Sequence, residues 1–398
     1  MEDKPNAYIL VVNCGSSSLK FSLYCLASIQ MQLSGFVIRI GREDGQLEIK
    51  DSKSNILENR VAHFKDMDAA ANVVVDWLKN SQHHYPLIAI GHRIVQGGPE
   101  HRQPERITDE LLQTLHHFAY LAPNHLPDEI KIIKIFQAAF RNVPQVACFD
   151  TSFHRDMPSF AKYYPLPAEY QEKGLMRYGF HGLSYEYIMQ KLADSTSLID
   201  RQKIIIAHLG NGASMVAVKN GVSVDTTMGI SPIGGLVMST RSGDLDPGVL
   251  LFLLKQTKLT ANELDELLSK HSGLKAIAGT SDVQELLNKE GNDPRAAEAL
   301  TVFCYHAKKF IGALSAAMGG LDTLVFTGGI GENSGIIRER ICKDLNFIGI
   351  DLDTTKNLKN ESIISKEISN VSVRVIQTDE ELMIARLVCS ILNYTIKQ

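Results

Sequence analysis

Paired cysteines, long apolar runs and blocks of one charge are all missing from this 398-residue chain. The six cysteines (Cys14, Cys25, Cys148, Cys304, Cys342 and Cys389) lie far apart, with no CxxC pair. That spacing argues against a zinc site or a disulfide framework and fits a reducing cytoplasm. A net charge of −4 without a basic block argues against a nucleic-acid partner. No apolar run approaches the roughly 20 residues that span a bilayer, so no membrane partner is expected. The stretch MEDKPNAY lacks the apolar region of a signal peptide, and a cytoplasmic location is expected. No GxxxxGK[ST] phosphate loop occurs, and no segment is of low complexity. His154-Arg155-Asp156 spells a protein-kinase HRD, but Ala161 stands where Asn is needed and no DFG follows.

What is present points to an α/β protein of about two domains. Apolar content is 44% and charged content 22%, ordinary for a folded chain. Strand-like runs recur: YILVVN, LKFSLY, QLSGFVIRI, PLIAIGH, QVACFD, KIIIAHL, ASMVAVK, DTLVFTGG and VSVRVIQ. Between them lie helix-like segments, among them DAAANVVVDWLKN, PDEIKIIKIFQAAF, ANELDELLSKH, Pro294–Met318 and DEELMIARLVCSIL.

One internal echo stands out. With VVNCGSSSLKFSL set over IAHLGNGASMVAV, Asn13 falls on His208, Gly15 on Gly210 and Ser16 on Asn211. Two copies of strand, glycine turn and strand suggest a duplicated domain with a shared cleft. A third glycine-rich turn, GGIGEN from Gly328, follows the strand DTLVF and precedes a helix-like run from Ser334. Glycines let backbone N–H groups converge on an anion, and a helix N-terminus adds to that. They also serve simply to turn a chain.

Several charged residues sit in telling places. Arg93 (GHRIVQGG) and Arg241 (LVMSTRSGDLDPG) are read as arginines in Gly/Ser loops at strand ends, either solvated or clamping an anion with their planar forks. Asp150 ends the strand QVACFD, as a cap or as a carboxylate facing a cleft. His181 lies in the tight loop RYGFHGLS, structural or functional. Glu380 and Glu381 follow Thr378 at a helix start, where they cap the helix or reach Mg²⁺ directly or through water.

Taken together, these motifs resemble the acetate kinase family, within the superfamily of sugar kinases and actin. The match runs through NCGSSSLK, GHRIVQGG, FDTSFHRDMP, AKYYPLP, RYGFHG, HLGNGAS, DTTMG, TRSGDLDPG, VFTGGIGEN and TDEELMIAR, nearly the whole chain. The resemblance implies two duplicated actin-like (ribonuclease H-like) domains around a central cleft. The expected division is 1–152 plus 381–398 for the acyl and phosphoryl side, and 153–380 for the nucleotide side. Asp150, Arg93, Arg241 and His181 match catalytic positions. Lys20, His208, Leu209, Gly210, Asn211, Gly212, Asp282, Val283, Gln284, Gly329, Ile330, Gly331, Glu332 and Asn333 match nucleotide-binding positions. Arg93, Val95, Asn124, Phe180 and Pro232 match the substrate pocket, and Asn13 and Glu380 match positions linked to Mg²⁺, for which Mn²⁺ can substitute. The implied reaction is ATP plus acetate giving acetyl phosphate plus ADP, reversibly, in a homodimer.

That chemistry suits the residue types. In-line transfer of a phosphoryl group to a carboxylate is mostly positioning and charge stabilisation, and acetate needs no general base. The chain also departs from the family pattern. Gln96 replaces a histidine of HRxxHGG, and Asn124 stands where APLHNP has an apolar residue. FHGTSH reads FHGLSY, substituting Leu183 and Tyr185. TPLEGL reads SPIGGL, losing a glutamate at Gly234, and SSDMR reads TSDVQ, placing Gln284 for an arginine. These changes leave open acetate against propionate, and ATP against another phosphoryl donor such as pyrophosphate. A non-catalytic actin-like ATP switch is the reading from a different class, and a pure switch has no use for a carboxylate clamp.

Overall fold

The strand β1 (Tyr8–Cys14) is apolar along nearly its whole length because it lies inside a sheet with partners on both sides. The computed structural model describes residues 7–81, 85–195 and 202–395. Residues 1–6 of the stretch MEDKPNAY, read for a signal peptide, lie outside the described residues. Contacts divide the chain into two units, Met1–Ser152 with Asp379–Gln398, and Phe153–Thr378. The returning segment starts at Asp379, so Glu380 lies in the first unit.

In the first unit, β2 (Ser18–Cys25), β3 (Met31–Ile38), β4 (Gln46–Asp51) and β5 (Ile56–Val61) extend the sheet antiparallel from β1. On the other side β6 (Leu87–Ile94) and β8 (Gln145–Phe149) run parallel to β1, with the short β7 (Glu105–Arg106) at the edge. The order is β5-β4-β3-β2-β1-β6-β8-β7.

The helix Met67–Asn80 starts at Asp66, whose side chain accepts from the Ala69 N–H. Its buried stripe (Ala70, Ala71, Val74, Val75, Leu78) joins Phe21, Leu33 and Phe136 in one core. The C-terminal helix Glu380–Ile391 packs on β6 at Gly91, where a Cβ would stand 2.5 Å from Ile384 and 2.7 Å from Val388. Only glycine fits that strand position.

The second unit has the sheet order β11-β10-β9-β12-β13, made of β9 (Lys203–Leu209), β10 (Ala213–Lys219), β11 (Val222–Thr226), β12 (Thr323–Thr327) and β13 (Ser372–Val375). β9, β10 and β11 are antiparallel neighbours, while β12 and β13 run parallel to β9. Replacing β9 to β13 by β1, β2, β3, β6 and β8 reproduces both order and direction. The fold is α/β with one actin-like plan present twice. The long helix Pro294–Met318, capped by Asp293 and closed by left-handed Gly319, lies over β9, β10 and β11.

The structure also corrects several expectations. Arg93 belongs to β6 rather than to a loop. The GGIGEN segment is a short helix, Gly328–Asn333, followed by a second helix, Gly335–Cys342. The echo holds in space with one offset: β1 and β2 last pair at Cys14–Leu19, β9 and β10 at Leu209–Ala213. The second turn is therefore one residue shorter, and Lys20 corresponds to Ser214. Among the described residues, no helix is long and apolar enough to cross a membrane.

Candidate functional site

In the first unit the parallel strands β1, β6 and β8 end at the same edge, which gathers Asn13, Arg93 and Asp150. Asp150 is 1% exposed and grips Arg93 bidentately, with Nε donating to Oδ1 at 3.0 Å and Nη2 to Oδ2 at 2.6 Å. Arg93 Nη1 donates to Asn13 Oδ1 at 3.2 Å, and Glu380 Oε2 lies 3.9 Å from Nε. The guanidinium is thus aimed by its neighbours before any ligand arrives. Burial works against its charge, but Asp150 and Glu380 outweigh that and raise its pKa. Burial also raises the pKa of Glu380, against the pull of Arg93.

Lys20 stands opposite Asn13 on β2, exposed. Val95 is buried, and its N–H donates to both carboxylate oxygens of Glu129 at 3.3 Å. Glu129 is itself 2% exposed, and burial pushes its pKa up to about 8. Asn124 is exposed in the loop before the helix Leu126–Ala139.

The second unit builds its part around the turn Gly210–Gly212. His181 precedes the helix Gly182–Ser195 with a left-handed φ of 58°, a conformation uncommon outside glycine. Its ring stacks on His208 with centroids 4.3 Å apart, and its Nδ1 lies 2.8 Å from Ser214 Oγ. A Cβ at Gly212 would stand 3.2 Å from His181 Nε2 and 3.5 Å from Arg241 Nη1. The missing side chain is what lets this backbone approach both groups. Arg241 Nη1 donates to the Pro232 carbonyl at 3.1 Å, which brings those two predicted residues together. Phe180 is buried, and its carbonyl accepts from His154 Nε2 at 3.2 Å. The histidine of the HRD decoy is therefore a buried structural group.

The short helix Gly328–Asn333 begins against the same turn, with the Gly329 N–H 3.8 Å from where a Gly210 Cβ would be. Glu332 Oε1 accepts from the N–H groups of Gly328 at 2.8 Å and Thr378 at 3.0 Å. Asn333 Nδ2 donates to the Gly329 carbonyl at 2.9 Å. Both side chains thus fasten the helix itself, while Gly329, Ile330 and Gly331 present its backbone. Arg338, fully buried, donates to the carbonyls of Gly331 and Glu332 at 2.8 and 3.0 Å. Asp282 caps the helix Val283–Lys289, Val283 is buried, and exposed Gln284 donates to Asn288 at 3.3 Å.

Sequence reasoning did not single out Arg338, Ser184, Ser214 or Thr378. Ser214 had a signal: shifting the internal echo by one residue places it on Lys20. Among the described residues, no cluster of three or more His, Cys, Asp or Glu side chains could hold a metal ion. One carboxylate (Glu380) and one amide oxygen (Asn13) do suit a Mg²⁺ ion that arrives on phosphates and keeps several waters.

Comparison with known proteins bears on the same residues. The description of the Acetokinase family matches residues 8–386. An acetate kinase from Caldanaerobacter subterraneus is 44% identical over 394 residues, covering 95% of this chain and 97% of that protein. One from Rickettsia akari is 40% identical over 387 residues, covering 96% and 99%. Among solved structures, an acetate kinase from Porphyromonas gingivalis superposes with a TM-score of 0.87 at 37% identity, covering 97% of this chain and all of that one. A propionate kinase from Francisella tularensis superposes with a TM-score of 0.91 at 35% identity, covering 96% and 99%.

Proposed function

This chain belongs to the acetokinase family, and from that premise we propose that it transfers the γ-phosphoryl group of ATP to acetate, reversibly, giving acetyl phosphate and ADP. The observation that carries the reading is the pair of anchored arginines, Arg93 held by Asp150 and Arg241 by the Pro232 carbonyl. A protein that only switches shape on binding ATP needs no such clamps.

In this mechanism the acetate carboxylate is already the nucleophile. The two guanidinium groups offset repulsion between it and the phosphoryl oxygens. Asp150 orients Arg93. His181 donates a hydrogen bond to an equatorial phosphoryl oxygen as charge spreads in the transition state. The turn His208–Gly212, with the Gly210 N–H closing it onto the Gly212 carbonyl, and the backbone N–H groups of Gly329–Gly331 take the nucleotide phosphates, with Asp282, Val283 and Gln284 toward the base and Lys20 toward the phosphates. Val95, Phe180 and Pro232 enclose the acyl methyl group. Asn13 and Glu380 would hold Mg²⁺, or Mn²⁺ in its place. When bound, that ion neutralises charge on the phosphates.

Propionate is the second acceptor to consider, favoured by the likeness to the Francisella propionate kinase. We infer a homodimer as well. The helix Pro247–Lys255 exposes Val249, Leu251, Phe252 and Leu254 around its circumference, apolar surface that asks for a partner. The dispersed cysteines, none in a disulfide among the described residues, support a reducing, cytoplasmic setting.

The test is direct. Purified protein is incubated with Mg-ATP and acetate, propionate, butyrate or glycerol, and hydroxylamine traps acyl phosphate as a coloured hydroxamate. Hydroxamate from acetate supports the reading, and the rate ratio with propionate ranks the acceptors. ATP hydrolysis without hydroxamate overturns it.

A further inference from the structure

Two consecutive residues on the first turn of the helix Gly182–Ser195 reach the two stacked imidazoles. Ser184 Oγ lies 2.9 Å from His208 Nδ1 and 2.9 Å from Thr378 Oγ1. Tyr185, fully buried, is hydrogen-bonded through its hydroxyl to Ser214 Oγ. Ser214, also fully buried, is in turn 2.8 Å from His181 Nδ1. The Tyr185 ring is held by Phe153 and His154, at centroid distances of 5.9 and 5.8 Å. Tyr185 is one of the residues by which this chain departs from the FHGTSH pattern.

A hydroxyl has one proton to give and two lone pairs. A phenol, with an ordinary pKa of about 10, is a far stronger donor than an alkyl hydroxyl. Tyr185 therefore donates to Ser214, and the Ser214 proton is left pointing at His181 Nδ1. An imidazole that accepts at Nδ1 carries its proton on Nε2. Nε2 is the nitrogen that faces the Gly212 backbone, beside the Arg241 guanidinium.

We propose that Tyr185, acting through Ser214, is a positioning residue that holds His181 as the neutral tautomer with its proton on Nε2. The hydrogen-bond donor that meets the phosphoryl group is then set before substrate binds and adds no second cation beside Arg241. The role assigned here rests on the kinase reading, but the tautomer itself does not.

The test uses Tyr185→Phe, Ser214→Ala and the double variant in the full-length protein, labelled with ¹⁵N-histidine. In the wild type, the His181 ring nitrogens should show an acceptor-type Nδ1 and a protonated Nε2. Tyr185→Phe keeps the ring packing and should mix the two tautomers. It should lower kcat roughly 10–100-fold, as loss of an orienting partner does, with KM for acetate and ATP little changed. Because the hydroxyls act in series, the double variant should lose no more than Ser214→Ala alone. Unaltered His181 signals in both single variants, or additive losses, overturn the proposal. A wild type that makes no acyl phosphate overturns the kinase reading instead, and the nitrogen spectra still decide the relay.

Discussion

At matching strand ends the two units carry opposite chemistries. The first has Asn13, Arg93 and Asp150, and the corresponding places in the second are held by His208, Thr327 and Thr378. The registers fix this correspondence. Val12 pairs with His92 as Ala207 pairs with Phe326, and His92 pairs with Ala147 as Phe326 pairs with Val375. Asp150 and Thr378 each lie three residues beyond. In the first unit, buried charges require each other, because an unpaired ion in that setting is costly. In the second, His208 and Thr378 meet through the Ser184 hydroxyl, and Glu332 accepts from Thr327 Oγ1 and the Thr378 N–H, so none of these contacts is a buried ion pair.

That contrast can be broken at Arg93 first. Arg93→Ala should reduce turnover by about 10³-fold and also strand the Asp150 carboxylate, costing about 3–5 kcal/mol of stability. Hydroxamate assays and denaturant midpoints report both losses. Arg241→Ala should cost about 10²–10³ in rate with a smaller shift in midpoint, because the group that holds its Nη1 is the Pro232 backbone carbonyl. Equal destabilisation by the two variants would erase the distinction between the units.

Glu129 sharpens it through pH. Its folded-state pKa of about 8 lies above the ordinary carboxyl value, so the folded state holds the proton longer. The folded protein therefore loses stability from Glu129 as pH rises from about 4 to about 8. Glu129→Gln keeps an acceptor for the Val95 N–H, and its melting temperature should gain on the wild type steadily from pH 5 to pH 8. Parallel melting curves across that range would show that Glu129 does not titrate this way. The smallest effect is expected at Thr378→Val, which removes one hydroxyl contact with Ser184 and should cost about 1 kcal/mol. A loss as large as that at Arg93 would mean that the Thr378 hydroxyl matters as much to the second unit as the Arg93–Asp150 pair does to the first.

Much of this was legible in the sequence where burial leaves an apolar signature. All nine strand-like runs coincide with strands, and Pro294–Met318 is a helix with those bounds. β4 and β5 were not legible, because Gln46–Asp51 is mixed in character and Ile56–Val61 is an exposed edge with no apolar alternation. The helix at GGIGEN was hidden by its glycines, which disfavour helix locally. It forms because Glu332 satisfies its first N–H and Arg338, from the next helix, gathers its last carbonyls. Arg93 read as a loop residue because nothing local announces that Asp150, 57 positions away, neutralises it at a strand end. Motifs located the candidate residues, while the hydroxyls that orient them, Ser184 on a helix and Ser214 on β10, come into view with the three-dimensional contacts.

The seat of the C-terminal helix on Gly91 has a consequence for how the protein is made. Ile384 and Val388 complete the first unit's packing, yet the ribosome delivers them only after the whole second unit. The second unit, although it begins at Phe153, has its whole sequence available once Thr378 has emerged, before the first unit does. During synthesis the first unit must therefore wait with β6 uncovered, and emergence of the helix Glu380–Ile391, rather than of residue 152, is the event that lets it close.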